Sequence, residues 1–405
     1  MLGRFLILVF LHVSLFGFNG TVIDIKTLKP IKSAFVSDTK KDVTTDINGS
    51  FNLETDDNLV HIKAYGYRPF SIKTDTNKTV FKLEPITVRA LYLTFWGANN
   101  NSKTLKNLLK IVDNTEINAV VVDVKNEYGS TVFLTNFKQA NSYGAHLQRT
   151  NRDIKKFIKI MKEHNIYTIA RIVTFKDELQ ASHNPSYAIK KKKTGKIWRN
   201  SDNMAWVDPF DIRSHKYTIR IAQESAKVGF DEINFDYVRF PAKSGLDLKK
   251  ENTQKNRVKT IASFLELAKK ELRPYGVFIS ADTYGNVCWS TNDNNIGQTI
   301  KSLAQHVDYL APMLYPSGFA SGSFNVSYPA KHPYIVIYRS IKHIEKIISP
   351  KRIRPWLQNF RDYNKQRVHY NKFEIKQQIK ATKKMGTDGY MMWSPSSKYV
   401  LDYFK

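Results

Sequence analysis

Two aspartates end apolar runs where packing alone gives little reason for an acid. Asp236 lies in Phe230-Asp231-Glu232-Ile233-Asn234-Phe235-Asp236-Tyr237-Val238-Arg239-Phe240-Pro241, and Asp282 closes Val277-Phe278-Ile279-Ser280-Ala281-Asp282. Side chains alternate along a strand, so Glu232, Asn234 and Asp236 share one face and Ile233, Phe235 and Tyr237 the other. The apolar face suits contact with helices, which directs Asn234 and Asp236 toward a polar opening. A carboxylate there is costly without a partner or a task. If the two runs are neighbouring strands, Asp236 and Asp282 come together. A carboxyl pair is what glycosidic cleavage requires: one protonates the leaving oxygen while the other attacks or activates water. Burial and mutual repulsion raise one pKa, which fits that group to be the acid. The plainer alternatives are an ion pair from Asp236 to Arg239 or Arg171, and a helix cap at Asp282.

Other strand-end residues could hold a substrate. Val120-Val121-Val122-Asp123-Val124-Lys125 supplies Asp123, followed by Glu127; Asp123 either serves the site or pairs with Lys125. Arg171 lies on the next run, which ends in Phe175-Lys176-Asp177-Glu178, and these last two carboxylates read as solvated. Later runs end in aromatic and amide groups at Tyr315, Trp356, Gln358 and Trp393, with Trp96 near the first. Aromatic faces stack on the C–H faces of sugars, and amides read hydroxyls. The candidate substrate-binding set is Asp123, Arg171, Asn234, Arg239, Tyr315, Trp356, Gln358 and Trp393. The ten histidines are scattered, and no zinc, nucleophile-elbow or phosphate-loop motif occurs. Neither a metal nor another cofactor is expected.

The elements that must position these residues follow from periodicity. From Val88 onward, strand-like runs alternate with amphipathic helix patterns, the signature of βα units. Strands are expected at 90–95, 118–123, 167–175, 232–236, 277–282, 307–314, 353–357 and 389–393. Helices are expected at 105–112, 153–163, 213–227, 258–272, 297–304, 338–348 and 373–385. Eight such strands in one chain predict an α/β fold, a (β/α)8 TIM barrel over residues 88–405, with chemistry at the C-terminal strand ends. An open doubly wound sheet is the competitor, but Thr94-Phe95-Trp96-Gly97-Ala98 lacks its glycine loop. Residues 19–86 read instead as short strands between turns, including Asn48-Gly49, and predict a small N-terminal all-β sandwich.

The first 18 residues have one early charge, Arg4, and an apolar run, the pattern of a signal peptide. No later segment is apolar enough to span a bilayer. The 405-residue chain has a single cysteine, Cys288, so an internal disulfide is excluded, which suits the periplasm or surface of a bacterium. A net charge of +27 attracts polyanions, but the basic residues are spread along the chain, and a nucleic-acid partner is not expected. The oligomeric state is not legible.

Two resemblances extend this reading. Gly20-Thr21-Val22-Ile23-Asp24, Pro30, Thr45 to Phe51 and Gly66-Tyr67 resemble the carboxypeptidase regulatory-like domain, which implies a non-catalytic spacer or adhesion module. Asn118 to Lys125, Ala170 to Asp177, Phe235 to Pro241 and Ser280-Ala281-Asp282 resemble a bacterial family of glycoside-hydrolase-like TIM barrels of unknown activity. Asp308 to Ser317, Arg354 to Phe360 and Trp393-Ser394-Pro395 continue the match. This family is related to the α-amylase-like barrels. The resemblance implies a nucleophile at Asp236. The acid/base position, Glu in amylase-like barrels, is Asp282 here, and a His common in relatives is Gly318. The expected function is hydrolysis of a bacterial envelope or extracellular polysaccharide by Asp236 and Asp282. The alternative is a non-catalytic carbohydrate-binding or scaffold protein using the same cleft.

Overall fold

A computed structural model describes residues 16–405, and the rest of the expected leader lies outside them. The chain divides into two compact units, Met1–Pro85 and Ile86–Lys405.

In the first unit, one sheet joins Ser50–Thr55, Phe16–Asp24 and Val80–Leu83. The other joins Asp42–Thr44, Phe35–Ser37, Leu59–Lys63 and Phe70–Lys73. Phe18, Val22, Phe51, Leu53, Val60, Ile62 and Phe81 fill its core. Phe18 contacts the rings of Phe51 and Phe81, so this unit begins before residue 19, the boundary expected from sequence. The turn at Asn48-Gly49 is built as expected. Asp46 Oδ1 accepts from the Asn48 and Ser50 amides, and Gly49 has φ +73°, a conformation glycine adopts freely.

The second unit is a closed eight-stranded parallel barrel. Its strands are β1 (Val88–Leu93), β2 (Ala119–Lys125), β3 (Tyr167–Val173) and β4 (Glu232–Asp236). They continue as β5 (Phe278–Tyr284), β6 (Tyr309–Met313), β7 (Trp356–Gln358) and β8 (Gly389–Trp393). Helices intervene, the longest being Ile212–Val228 and Gln254–Leu272. One boundary moves substantially: the helix expected at 338–348 runs from Pro333 to Ile344. Proline ends a helix interior but is tolerated in its first turn, so Pro333 opens this helix rather than preceding it. Among the described residues no helix is long and apolar enough to cross a membrane.

Alternation on β4 divides inside from outside. Ile233 and Phe235 join the apolar layer beneath the helices, with Phe235 edge-on to Phe264 at 5.1 Å. Glu232, Asn234 and Asp236 face the lumen, and Glu232 meets several donors there. Glu232 accepts from Ser280 Oγ at 2.6 Å, from Tyr167 OH at 2.9 Å and from Arg354. Arg354 also reaches Asp388 Oδ2 at 2.6 Å and lies 4.0 Å from the centre of the Tyr309 ring. The floor of the barrel is therefore a buried ion network closed across strands from both halves of the chain.

Barrel closure between β8 and β1 leaves no room at Gly389, where φ is +79° and an added Cβ would lie 1.7 Å from the Val88 carbonyl oxygen. Gly386, at the end of the preceding helix, has φ +66° and open space around its Cα. Gly389→Ala should therefore cost at least about 3 kcal/mol, whereas Gly386→Ala should cost about 1 kcal/mol, the strain of a left-handed alanine. Urea unfolding of the two variants checks this; equal midpoints would show that the β8–β1 seam yields.

Candidate active site

The C-terminal strand ends bring together most of the residues singled out from sequence. Register does the first part of the work. Arg171 on β3 pairs with Asp123 on β2 and with Asn234 on β4, so its guanidinium emerges between two acidic strands. Nη1 donates to Asp123 Oδ1 at 2.5 Å, and Nε and Nη2 both reach Asp236 Oδ2, at 3.0 and 2.5 Å. Nη2 also reaches Glu127 Oε1 at 3.1 Å. The ion pair of Asp236 is thus with Arg171 and not with Arg239. Arg171 is fully buried, and its guanidinium lies 5.3 Å from the centre of the Trp393 ring. Trp393 in turn stacks on Tyr92 at 4.0 Å.

Charge sharing divides the acids. Burial pushes the Asp123 carboxyl up to about 6, against the opposing pull of Arg171; Glu127 adds to the upward shift. Tyr92 OH donates to Asp123 Oδ2 at 3.1 Å. Glu127 is also penalised by burial, but Arg171 and the local hydrogen bonds bring it below its ordinary value. Asp123 therefore serves Arg171 rather than Lys125. Lys125 turns away to form a buried pair with Asp177 at 2.8 Å and donates to the Val173 carbonyl at 2.6 Å. The expectation that Asp177 is solvated is incorrect: it is fully buried, and it also caps the helix Glu178–His183 by accepting from the Gln180 amide. Glu178 is also engaged, by Arg199 and by the Ala205 amide.

Asp282 occupies a different environment. Its Oδ1 accepts from Asn234 Nδ2 at 2.8 Å and from Trp356 Nε1 at 2.7 Å, so it is not a helix cap. No cation pairs with it among the described residues. Burial raises its pKa well above the ordinary carboxyl value, and the Asp236 charge adds to the shift. Asn234 also donates to Ser280 Oγ at 3.0 Å, and Ser280 donates to Glu232. A column of hydrogen bonds thus runs from the barrel floor to Asp282. With Oδ1 held as a double acceptor, Oδ2 is the oxygen left to carry a proton.

The turn after β4 completes the site. Tyr237 adopts φ +49°, a left-handed conformation that is strained for a side chain of this size. That turn aims the Tyr237 amide at Asp236 Oδ1, 2.5 Å away. Arg239 follows, with its guanidinium 5.2 Å from the Trp206 ring centre and 5.0 Å from that of Tyr237.

The remaining candidates separate by role. Trp356 is buried and acts on Asp282 rather than presenting its face to solvent. Gln358 is also buried. Its amide holds Ser317 and the Phe360 carbonyl, so it fixes the loops after β6 and β7. Tyr315 is half-buried, and burial, then the charges of Asp282 and Asp236, raise its hydroxyl pKa. Trp96 is 67% exposed. Glu127 and Tyr92 also belong to the site, and in the sequence only their positions beside strand ends signal them.

The comparisons agree with this architecture. Residues 90–399 match the family model DUF4015, described as "Putative glycosyl hydrolase domain". The chain belongs to that family. No curated protein matches it. A hypothetical protein from Ruminiclostridium thermocellum is 34% identical over 47% of this chain and 96% of its own, with a TM-score of 0.42. The PgaB (BpsB) glycoside hydrolase domain from Bordetella bronchiseptica is 13% identical, with a TM-score of 0.54, over 77% of this chain and 95% of its own. The β-amylase catalytic domain from Paenibacillus polymyxa is 11% identical, with a TM-score of 0.50, over 78% and 94%. The last two likenesses identify the fold, a (β/α)8 barrel.

Removing Arg171 would leave buried carboxylates without their shared cation. Arg171→Met should cost about 3–5 kcal/mol near pH 7.5, measured by urea unfolding. The deficit should shrink toward pH 5. Asp123 has a folded pKa near 6, above the ordinary value, so its contribution to stability is complete at low pH and is lost as pH rises through 6. Without Arg171 that pKa rises further, and acid then neutralises the orphaned charge. A deficit that is constant or grows at pH 5 would contradict this account.

Proposed function

We propose that this chain is a glycoside hydrolase in which Asp282 is the general acid and Asp236 the nucleophile or base. The observation that carries the proposal is the contrast between adjacent strand ends. Asp236 faces the Arg171 guanidinium and a backbone amide, a donor set suited to a carboxylate. Asp282 is buried without an ion-pair partner among the described residues, under conditions that favour the protonated carboxyl. Cleavage needs that division of labour: the Asp282 proton passes to the glycosidic oxygen as the C–O bond breaks, while Asp236 attacks the anomeric carbon or deprotonates the attacking water. The half-buried Tyr315 and the Trp393–Tyr92 stack line the same end of the barrel and support a sugar-binding cleft. Family membership supports hydrolysis as the reaction class.

The proposed substrate is a polysaccharide of the bacterial envelope or extracellular matrix, met after export. The signal-like leader and the absence of disulfide potential favour that location. The N-terminal β unit then acts as a non-catalytic spacer, in keeping with its carboxypeptidase-regulatory-like sequence.

The test is release of reducing ends from purified envelope and extracellular glycans. Asp282→Asn and Asp236→Asn should each lower kcat/KM by about 10²-fold or more. Turnover that survives in Asp236→Asn would remove this mechanism. The alkaline limb of the pH profile should report Asp282, with activity lost as its carboxyl deprotonates. Trp356→Phe deletes a hydrogen bond that lowers the Asp282 pKa, so it should move that limb to higher pH. A limb that stays in place, or moves down, would assign the acid role to another group.

A further inference from the structure

Arg239 is the cation at the mouth that the mechanism leaves unused. A guanidinium has five N–H donors and is costly to desolvate without an anion. Arg239 is half-buried, and its one hydrogen bond among the described residues runs from Nη1 to the Phe240 carbonyl at 3.3 Å. No carboxylate lies within ion-pair distance of it among those residues. Its neighbours contrast with it: Arg171 holds three carboxylates, Lys125 pairs with Asp177, and Lys176 pairs with Asp202 at 2.9 Å. Asp236 is near enough to influence Arg239. Yet both Asp236 oxygens already have N–H donors, from Arg171 and from the Tyr237 amide.

The loop that carries Arg239 is held from several sides. Gln298 Nε2 bridges the Val238 carbonyl and the Asp282 carbonyl, at 3.3 and 2.9 Å, and the Phe240 amide donates to the Ile296 carbonyl at 2.8 Å. The Trp206 and Tyr237 rings flank the guanidinium, and Tyr284, 43% exposed at the end of β5, is within its electrostatic reach. The position is therefore preorganised, and the Asp236 charge reaches it. A planar fork of unused donors matches a carboxylate.

We propose that Arg239 is the subsite for a carboxylate carried by a sugar in the cleft, so that the substrate is an acidic glycan containing uronic acid. This rests on the hydrolase reading for the chemistry that follows binding, but not for the binding itself.

The probes are polygalacturonate, alginate and hyaluronan, each beside its carboxyl-reduced form, cast into native gels at about 0.15 M ionic strength. At least one polyuronate should retard the full-length protein about tenfold more strongly than its reduced form, the worth of one charge-assisted contact. Arg239→Gln should lose that difference, and Arg239→Lys should fall between the two. Lys216→Gln, at an exposed helix position, should match the parent. Thermal melts of each variant exclude misfolding as the cause. Equal retardation by carboxylated and reduced polymers overturns the proposal, as does a polyuronate preference that persists in Arg239→Gln. Reducing-end assays on the same polymers separate the two readings. Arg239-dependent retention without cleavage keeps the acidic subsite and removes the hydrolase. Cleavage of the reduced polymers as readily as the carboxylated ones keeps the hydrolase and removes the acidic subsite.

Discussion

The mouth of this barrel depends on one buried guanidinium. Arg171 sits between β2 and β4 because strand register puts it there, and it is buried because Trp393 and Tyr92 cover it. Desolvating such a charge is expensive, and only close anions offset the cost. Three carboxylates converge on it, those of Asp123, Glu127 and Asp236. The consequence falls on the acid that is left out. Asp282, one strand further round, is buried, pairs with no cation among the described residues and feels the Asp236 charge, so its carboxyl favours the neutral form. The asymmetry between two aspartates of identical chemistry thus follows from where a single arginine was spent.

The site inherits its stiffness from below. In many barrels the lumen is filled by branched apolar residues. Here Glu232, Arg354 and Asp388 form an ion network at the floor, and Ser280 and Asn234 carry hydrogen bonds from it to Asp282. Each group in the column has a donor or acceptor beneath it, so a shift at the top must break a bond below. Apolar contacts slide more easily than such directional bonds. The cost is that every member of the column must be present, because a half-satisfied buried network destabilises more than an apolar filling.

What the sequence disclosed follows the range of the forces involved. Alternation is local, so the inward face of Glu232, Asn234 and Asp236 was readable from a few residues, as was the placing of Asp236 and Asp282 on neighbouring strands. The strand and helix count was readable for the same reason, and with it the barrel. Partner choice was not. Both Arg171 and Arg239 were plausible partners for Asp236, and Lys125 for Asp123; cross-strand register, with its shift between Arg171 and Ile172, decides among them, and it is not written in a local pattern. Lys125 meets instead Asp177, a residue that looked like loop surface. Trp356 and Gln358 illustrate another limit. Residue type suggested contact with sugar, but burial assigned one to Asp282 and the other to loop support.

Charge acts here on two length scales that should be kept apart. The net charge of +27 raises the local concentration of any polyanion, but salt screens exposed charges beyond about 8 Å, and a diffuse field cannot tell one acidic polymer from another. Selection needs a charge that is desolvated, fixed in place and short of a partner. Most lysines of this chain meet none of those conditions. Arg239 meets all three, since aromatic rings flank it, a pinned loop carries it, and its neighbours' carboxylates are already engaged. A neutral substrate would leave that desolvation cost standing in the complex as well as in the free protein. A carboxylate on a bound sugar would relieve it, and because the Asp236 charge also reaches Arg239, the anion would be held near the strand end that carries Asp236.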